Sequence, residues 1–184
     1  MSAFKNITDV GLPGGSPRHS IDSLRSKWNI TTPAAQTVLL TFGGLGLQQI
    51  PYHNLQQFPN WQFITFDHHA PNLANLLKIE DRQYRPVDFM PLCGRVISKP
   101  GFSTFAEAIR LQVPIVTITR DDFAEAALLM KGIKRYSPHQ IISPTEFFQS
   151  NWEFLHQEPI KPSQSQMIDT DGNEAIARAV LEYF

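Results

Sequence analysis

Six short apolar runs, each followed by a longer stretch carrying helical spacing or turn residues, constrain this chain more than any other feature. They lie near residues 37, 61, 76, 95, 114 and 140. Thr37-Val38-Leu39-Leu40-Thr41-Phe42, Trp61-Gln62-Phe63-Ile64-Thr65-Phe66 and Pro114-Ile115-Val116-Thr117-Ile118-Thr119 have the composition of strands buried in a parallel sheet. Leu76-Leu77-Lys78-Ile79 and Gln140-Ile141-Ile142 are shorter, and Arg95-Val96-Ile97-Ser98 runs into a glycine turn. Strands alternating with helical segments predict an α/β fold: a doubly wound parallel sheet, Rossmann-like, in three α/β/α layers.

The first 35 residues hold Gly11, Pro13, Gly14, Gly15, Pro17 and Pro33 and are aperiodic, except where Ile21, Leu24 and Trp28 share one side of a short helix. Residues 1–35 are therefore expected to be a linker or tail, and residues 36–184 a single Rossmann-like domain. A helical segment is expected over 48–57 and a short helix over 84–93, interrupted at Pro91. Thr104 and Glu107 have the T-x-x-E spacing of a capping box, which predicts a helix from near Thr104 with Phe105 and Ile109 on one face. Phe123, Ala127 and Met130 mark the face of another helix, running to about Gly132, with Asp122 and Glu125 at cap spacing before it. Ser143-Pro144-Thr145-Glu146 starts a helix whose buried side is Phe147, Phe148, Trp152 and Leu155. A closing helix begins at Asp171-Gly172-Asn173-Glu174, with Ile176, Ala179 and Val180 facing inward.

Composition excludes several classes of function. At 184 residues the chain is long enough to bury a full core in one domain. The net charge is −1 with no basic run, so a nucleic-acid surface is unsupported. The single cysteine, Cys93, allows no internal disulfide and no cysteine metal cluster, and a reducing, cytoplasmic location is expected. No apolar run approaches the roughly 20 residues of a membrane span, and the amino terminus lacks a signal-peptide core. The Asn-Ile-Thr sequons at Asn6 and Asn29 would matter only in a secreted chain. Asp67-His68-His69 does not make a metal site, because adjacent histidines cannot easily share one ion and no further ligand recurs at ligand spacing. Asp169-x-Asp171-Gly172 lacks the remaining ligands of a calcium loop. No metal and no cofactor is expected.

Three loops follow strands and would share the carboxyl-end rim where such sheets bind ligands. Gly43-Gly44-Leu45-Gly46 has the layout of a phosphate loop but matches neither G-x-G-x-x-G nor the P-loop, and a tight turn has the same layout. Lys99-Pro100-Gly101-Phe102-Ser103-Thr104 leads into a helix whose start carries unpaired N–H groups and partial positive charge, with Gly101 permitting close approach. An ordinary capped connection has that spacing too. Arg120-Asp121-Asp122-Phe123-Ala124-Glu125 is acidic. Together the three suit a nucleotide-sugar pocket.

The run Ser98-Lys99-Pro100-Gly101-Phe102-Ser103-Thr104-Phe105-Ala106-Glu107, continued through Pro114-Ile115-Val116 to Arg120-Asp121-Asp122-Phe123-Ala124-Glu125, resembles the donor-binding half of GT-B glycosyltransferases. The likeness is greatest to the family 28 carboxyl-terminal domain, and the same run resembles the glycosyltransferase-like region of arabinokinases. It covers most of residues 36–184. The resemblance implies a GT-B carboxyl-terminal fold and a nucleotide-sugar donor as substrate. It implies that Gly43 and Gly44 lie near the diphosphate, that Gly101 and Thr104 hold phosphate oxygens, and that Glu107 hydrogen-bonds the ribose hydroxyls, with Gly46 and Ser103 also among the donor-binding residues. Asp121, Asp122 and Glu125 fall where the donor sugar is contacted, although the family usually carries a glutamine-bearing segment there. The base, expected to be uracil, would sit near Ile79, and Lys99 and Arg120 are the candidates to offset diphosphate charge.

GT-B enzymes take the acceptor, and usually the catalytic base, from an amino-terminal domain that these 184 residues do not include. The chain is therefore expected to bind a UDP-sugar without transferring it alone, as part of a longer protein or one subunit of a split enzyme, with no catalytic residue assigned. An apolar patch left uncovered by a missing domain would favour a homodimer. Two other classes remain open: a noncatalytic nucleotide-sugar-binding or interaction module, and a nucleotide-sugar epimerase or hydrolase, for which His68 and His69 are the nearby histidines.

Overall fold

The computed structural model describes residues 7–43, 50–119, 124–164 and 168–183, and all six expected strands form in it. They are β1 (Thr37–Leu40), β2 (Gln62–Thr65), β3 (Leu76–Lys78), β4 (Arg95–Ser98), β5 (Ile115–Ile118) and β6 (His139–Ile142). They make one sheet in the order β3-β2-β1-β4-β5-β6, with every neighbouring pair parallel. The chain lays β1, β2 and β3 outward in one direction, then returns to the middle and lays β4, β5 and β6 in the other. This is the doubly wound, Rossmann-like order, and its switch point lies between β1 and β4.

Both faces of the sheet are covered, which is why β1, β4 and β5 are buried at every position. One face presents Leu39, Ile64, Val96 and Ile115 to a layer holding α1 (Ile21–Trp28), α2 (Pro86–Phe89), α3 (Phe102–Arg110) and α4 (Ala126–Tyr136). The other presents Val38, Leu40, Phe63, Ile97 and Val116 to the 3-10 turns Tyr52–Gln57 and Glu153–His156 and to α5 (Pro144–Gln149). Pro91 does interrupt the helix after β3: α2 passes directly into the 3-10 turn Met90–Leu92.

The carboxyl-terminal helices depart from expectation in instructive ways. Ser143 caps α5 as its spacing predicts, its hydroxyl accepting from the Glu146 N–H. However, α5 ends at Gln149, so Trp152 and Leu155 are not on its buried side. The chain turns at Trp152, with φ 59°, and buries that ring beside Phe147, where its Nε1 donates to the Phe147 carbonyl (2.7 Å). The buried face of α4 is Ala126 and Ile133 with Leu129 packed alongside. Ala127 and Met130 instead line an open groove with Lys131, Lys134 and Arg135, so the apolar phase is one residue off the predicted one. Phe123 lies outside the described residues. The 48–57 segment is, where described, the 3-10 turn Tyr52–Gln57.

The final helix, α6 (Gly172–Tyr183), does not face inward. Ile176, Val180 and Leu181 are 46%, 51% and 79% exposed, and Ala179 is exposed as well. Its periodicity is amphipathic, yet its apolar stripe meets solvent. Among the described residues no helix is long and apolar enough to cross a membrane.

Candidate functional site: the switch-point crevice

The carboxyl ends of β1 and β4 lie side by side, since Leu40 pairs with Ile97 and the Thr41 N–H donates to the Ile97 carbonyl (3.0 Å). Beyond them the backbone turns sharply at Gly43, whose φ of +68° is in the left-handed region that favours glycine. A Cβ placed on Gly43 would stand 3.9 Å from Lys99 Cε, so the two loops face each other across the switch point. Gly44, Gly46, Arg120, Asp121 and Asp122 lie outside the described residues.

The helix after β4 starts two residues earlier than the capping-box spacing suggests. Gly101 is the N-cap of α3, in extended backbone (φ −163°, ψ 129°), and no side chain caps the helix. The box cannot form because Thr104 is already inside the first turn, and Glu107 is engaged elsewhere. Gly101 offers no side chain to cap the helix and the first turn holds no acidic residue, so among the described residues no side chain caps the leading N–H groups of α3. Ser103 is exposed and Thr104 half-buried on that turn, while Phe105 is buried and Ile109 packs against the same cluster, as expected.

Glu107 shares a side of α3 with Thr104, three residues before it, and Arg110, three residues after. Its Oε1 accepts from the Gly15 N–H (3.2 Å), a contact reaching across 92 residues of sequence. Arg110 donates to the carbonyls of Gly14 and Gly15. Burial pushes the Glu107 carboxyl above its ordinary value, opposed by the Gly15 N–H and by the positive charges of Arg85 and Arg110. The aperiodic segment 11–18 is thus laid against α3.

A second anchor holds the same segment. The Asp88 side chain is fully buried, and its carboxylate accepts from the backbone N–H groups of Arg18 (2.8 Å) and Arg85 (2.8 Å) and from the Arg85 guanidinium (3.2 Å). Burial works to raise this carboxyl, but those three donors outweigh it and hold it below the ordinary range. Arg85 also donates to the Ser16 carbonyl (2.7 Å), and Arg18 to the Gln83 carbonyl (2.7 Å). At the other end, the Leu12 N–H donates to the Asp169 carbonyl (2.7 Å), and Asn173 brackets Gly14 through both amide atoms.

The remaining candidates are spread along the rim. Glu125 is the exposed N-cap of α4, next along from β4 after β5, and its side chain makes no cap bond. Ile79 directly follows β3, with its side chain buried and its N–H given to the Thr65 carbonyl (2.8 Å). Three strand spacings separate β3 from β4, about 14 Å, so Ile79 is not brought together with Gly101. His68 and His69 are exposed after β2, and the neighbouring Asp67 is bonded to the Tyr52 hydroxyl (2.9 Å) and the His69 N–H (2.9 Å). Among the described residues no group of three or more histidine, cysteine or acidic side chains could hold a metal ion. Arg85, Asp88 and Arg110, which organise segment 11–18, carry no motif, and the Gly14-Gly15 pair they hold is legible in the sequence only as part of an aperiodic linker.

The fold defines the class of this molecule: a doubly wound α/β domain, the kind of sheet in which ligands bind beyond the carboxyl ends of the strands at the switch point. No family model matches the chain, and no curated protein matches it. Among solved structures it is similar to the glycosyltransferase SnogD from Streptomyces nogalater, at 13% identity and a TM-score of 0.41, covering 79% of this chain and 43% of that one. It is also similar to the glycotransferase of kitacinnamycin, at 15% identity and a TM-score of 0.48, covering 71% of this chain and 37% of that one. The chain thus matches less than half the length of each.

Proposed function

We propose that this chain is the donor-binding domain of a glycosyltransferase, that it takes a nucleotide sugar of the UDP class in the crevice between β1 and β4, and that it does not transfer the sugar alone. The observation that carries this reading is the amino terminus of α3, which has a glycine cap and no side-chain cap bond among the described residues, at the switch point opposite Gly43. Uncapped amides and the helix dipole favour a diphosphate there without a metal ion. Lys99, on the same connection two residues before the Gly101 cap, adds a positive charge at the rim facing Gly43. Ser103 and Thr104 supply hydroxyls in the same turn, and Glu107, one turn further along, is the acceptor for ribose hydroxyls. The resemblance of the Ser98-to-Glu107 run to GT-B donor domains supports the sugar-nucleotide class. Transfer itself would need an acceptor site and a base from an amino-terminal domain.

The test is a thermal-unfolding titration with UDP, UDP-N-acetylglucosamine, UDP-galactose and GDP-mannose, on the wild type and on Glu107→Ala. A ligand at 100 times its Kd adds about 2.7 kcal/mol of apparent stability. We expect that gain from uridine compounds, and its loss in the variant. No shift with any of the four would overturn the donor reading. Robust transfer by the isolated chain would overturn the claim that it needs a second domain.

A further inference from the structure

We propose that residues 11–18 are a self-docking strap that competes with the donor for the Glu107 face of α3, so that the domain exists in a strapped, low-affinity form and an open, high-affinity one. The inference rests on the donor reading above, because it takes Glu107 as the group that receives the ribose.

The geometry points to competition in three ways. First, the strap lies on the ligand's own path. Thr104, Glu107 and Arg110 follow one another at three-residue intervals along α3, and a nucleotide whose phosphates sit at the helix start would extend its ribose along that side. Gly15 already occupies the carboxylate there, with its N–H on Oε1 at 3.2 Å, and Arg110 grips the Gly14 and Gly15 carbonyls beside it. Ribose hydroxyls and the strap amide present the same chemistry to Glu107, each donating a hydrogen bond to a carboxylate.

Second, the strap is fastened in a reversible manner. No residue from 11 to 18 is fully buried, and the segment makes its contacts through backbone and polar side-chain hydrogen bonds rather than by seating an apolar side chain in the core. Each such bond can be exchanged for one to water at small net cost. Third, the strap has separate anchors. Asp88 and Arg85 hold residues 16 and 18, the Asp169 carbonyl holds residue 12, and only the Gly14-Gly15 stretch, held by Asn173 and Arg110, crosses the ligand face. That stretch can lift while its ends stay fastened. A partner domain that drew residues 11–18 away would raise donor affinity without touching the crevice.

The experiment uses two substitutions that loosen Gly14-Gly15 from opposite sides. Arg110→Ala removes the guanidinium on both carbonyls, and Asn173→Ala, at an exposed position, removes both bonds to Gly14. If one variant fails to fold, the other carries the test. Calorimetric affinity for UDP is measured alongside hydrogen exchange of the peptide spanning residues 11–18. Because apparent affinity falls with the fraction of competent molecules, we expect UDP to bind the variants about five- to tenfold more tightly. We also expect UDP to speed exchange of the strap in the wild type. Equal or weaker UDP binding by the variants, with strap exchange unchanged or slowed by UDP, overturns the strap and leaves the donor reading standing. Failure of wild type and variants alike to bind UDP or the UDP-sugars overturns both.

Discussion

Segment 11–18 and helix α6 meet at the junction of Gly11, Pro13 and Gly172, and they reverse what their sequences suggest. The segment has no periodicity and is rich in glycine and proline, yet it is fastened to α2, α3 and the start of α6 by named hydrogen bonds. The helix is regular and amphipathic, yet Ile176, Val180 and Leu181 stand in solvent. Periodicity reports what a segment can bury. It does not report whether a surface is present to bury it against, nor does it register polar anchoring, which leaves no pattern in the segment anchored.

The largest test of this contrast is Asp88→Ala. It leaves the backbone N–H groups of Arg18 and Arg85 without their acceptor and should cost about 3 kcal/mol, seen as a lower urea midpoint. The pH dependence probes the same anchor. The folded-state pKa of Asp88 is depressed, so its contribution is fully present above the ordinary carboxylate pKa of about 3.9 and is lost as pH falls through the lower folded value. An acid-unfolding profile should therefore lose a component in Asp88→Asn. If both substitutions prove neutral, the segment is not anchored as described.

Next in size is Gly172→Ala. A Cβ there would meet the Gly11 carbonyl oxygen and the Pro13 nitrogen, both backbone atoms that cannot swing aside. We expect a loss of roughly 2 kcal/mol by thermal unfolding, with faster hydrogen exchange in residues 11–18. The smallest effect belongs to α6. Leu181→Gln should change stability by no more than about 0.5 kcal/mol, because the side chain is already 79% exposed and glutamine is a good helix former. A loss above 1 kcal/mol would mean that something covers that face in solution.

The strands were legible because a sheet buried on both sides demands continuous apolar runs, and the six runs are short and well separated by turn residues. Their alternation with helices also conveyed the parallel, doubly wound arrangement. The start of α3 was misjudged because Thr104 and Glu107 satisfy the capping spacing, while the actual partner of Glu107 lies 92 positions away, where no local pattern reaches. Trp152 looked like the next residue on a helical face, but the helix ends at Gln149 and a left-handed turn delivers the ring to the same core. In the crevice, the glycine turn at residue 43 and the approach at residue 101 were readable. The bare cap was not, because it depends on where the helix begins.

The strand order also dictates the sequence of assembly. Within the outer parts of the sheet the pairings are comparatively local: Phe63 meets Leu76, Val96 meets Ile115, and Ile115 meets His139. The central seam must instead bring Val38 to Arg95, closing a loop that contains two complete strands. Loop-closure entropy and the slowness of long-range pairing place that seam late in folding, after each half has nucleated on its own short contacts. The crevice straddles this seam, so a ligand seated there would grip both halves at once. It would slow unfolding by holding together the join whose re-formation is entropically the most demanding.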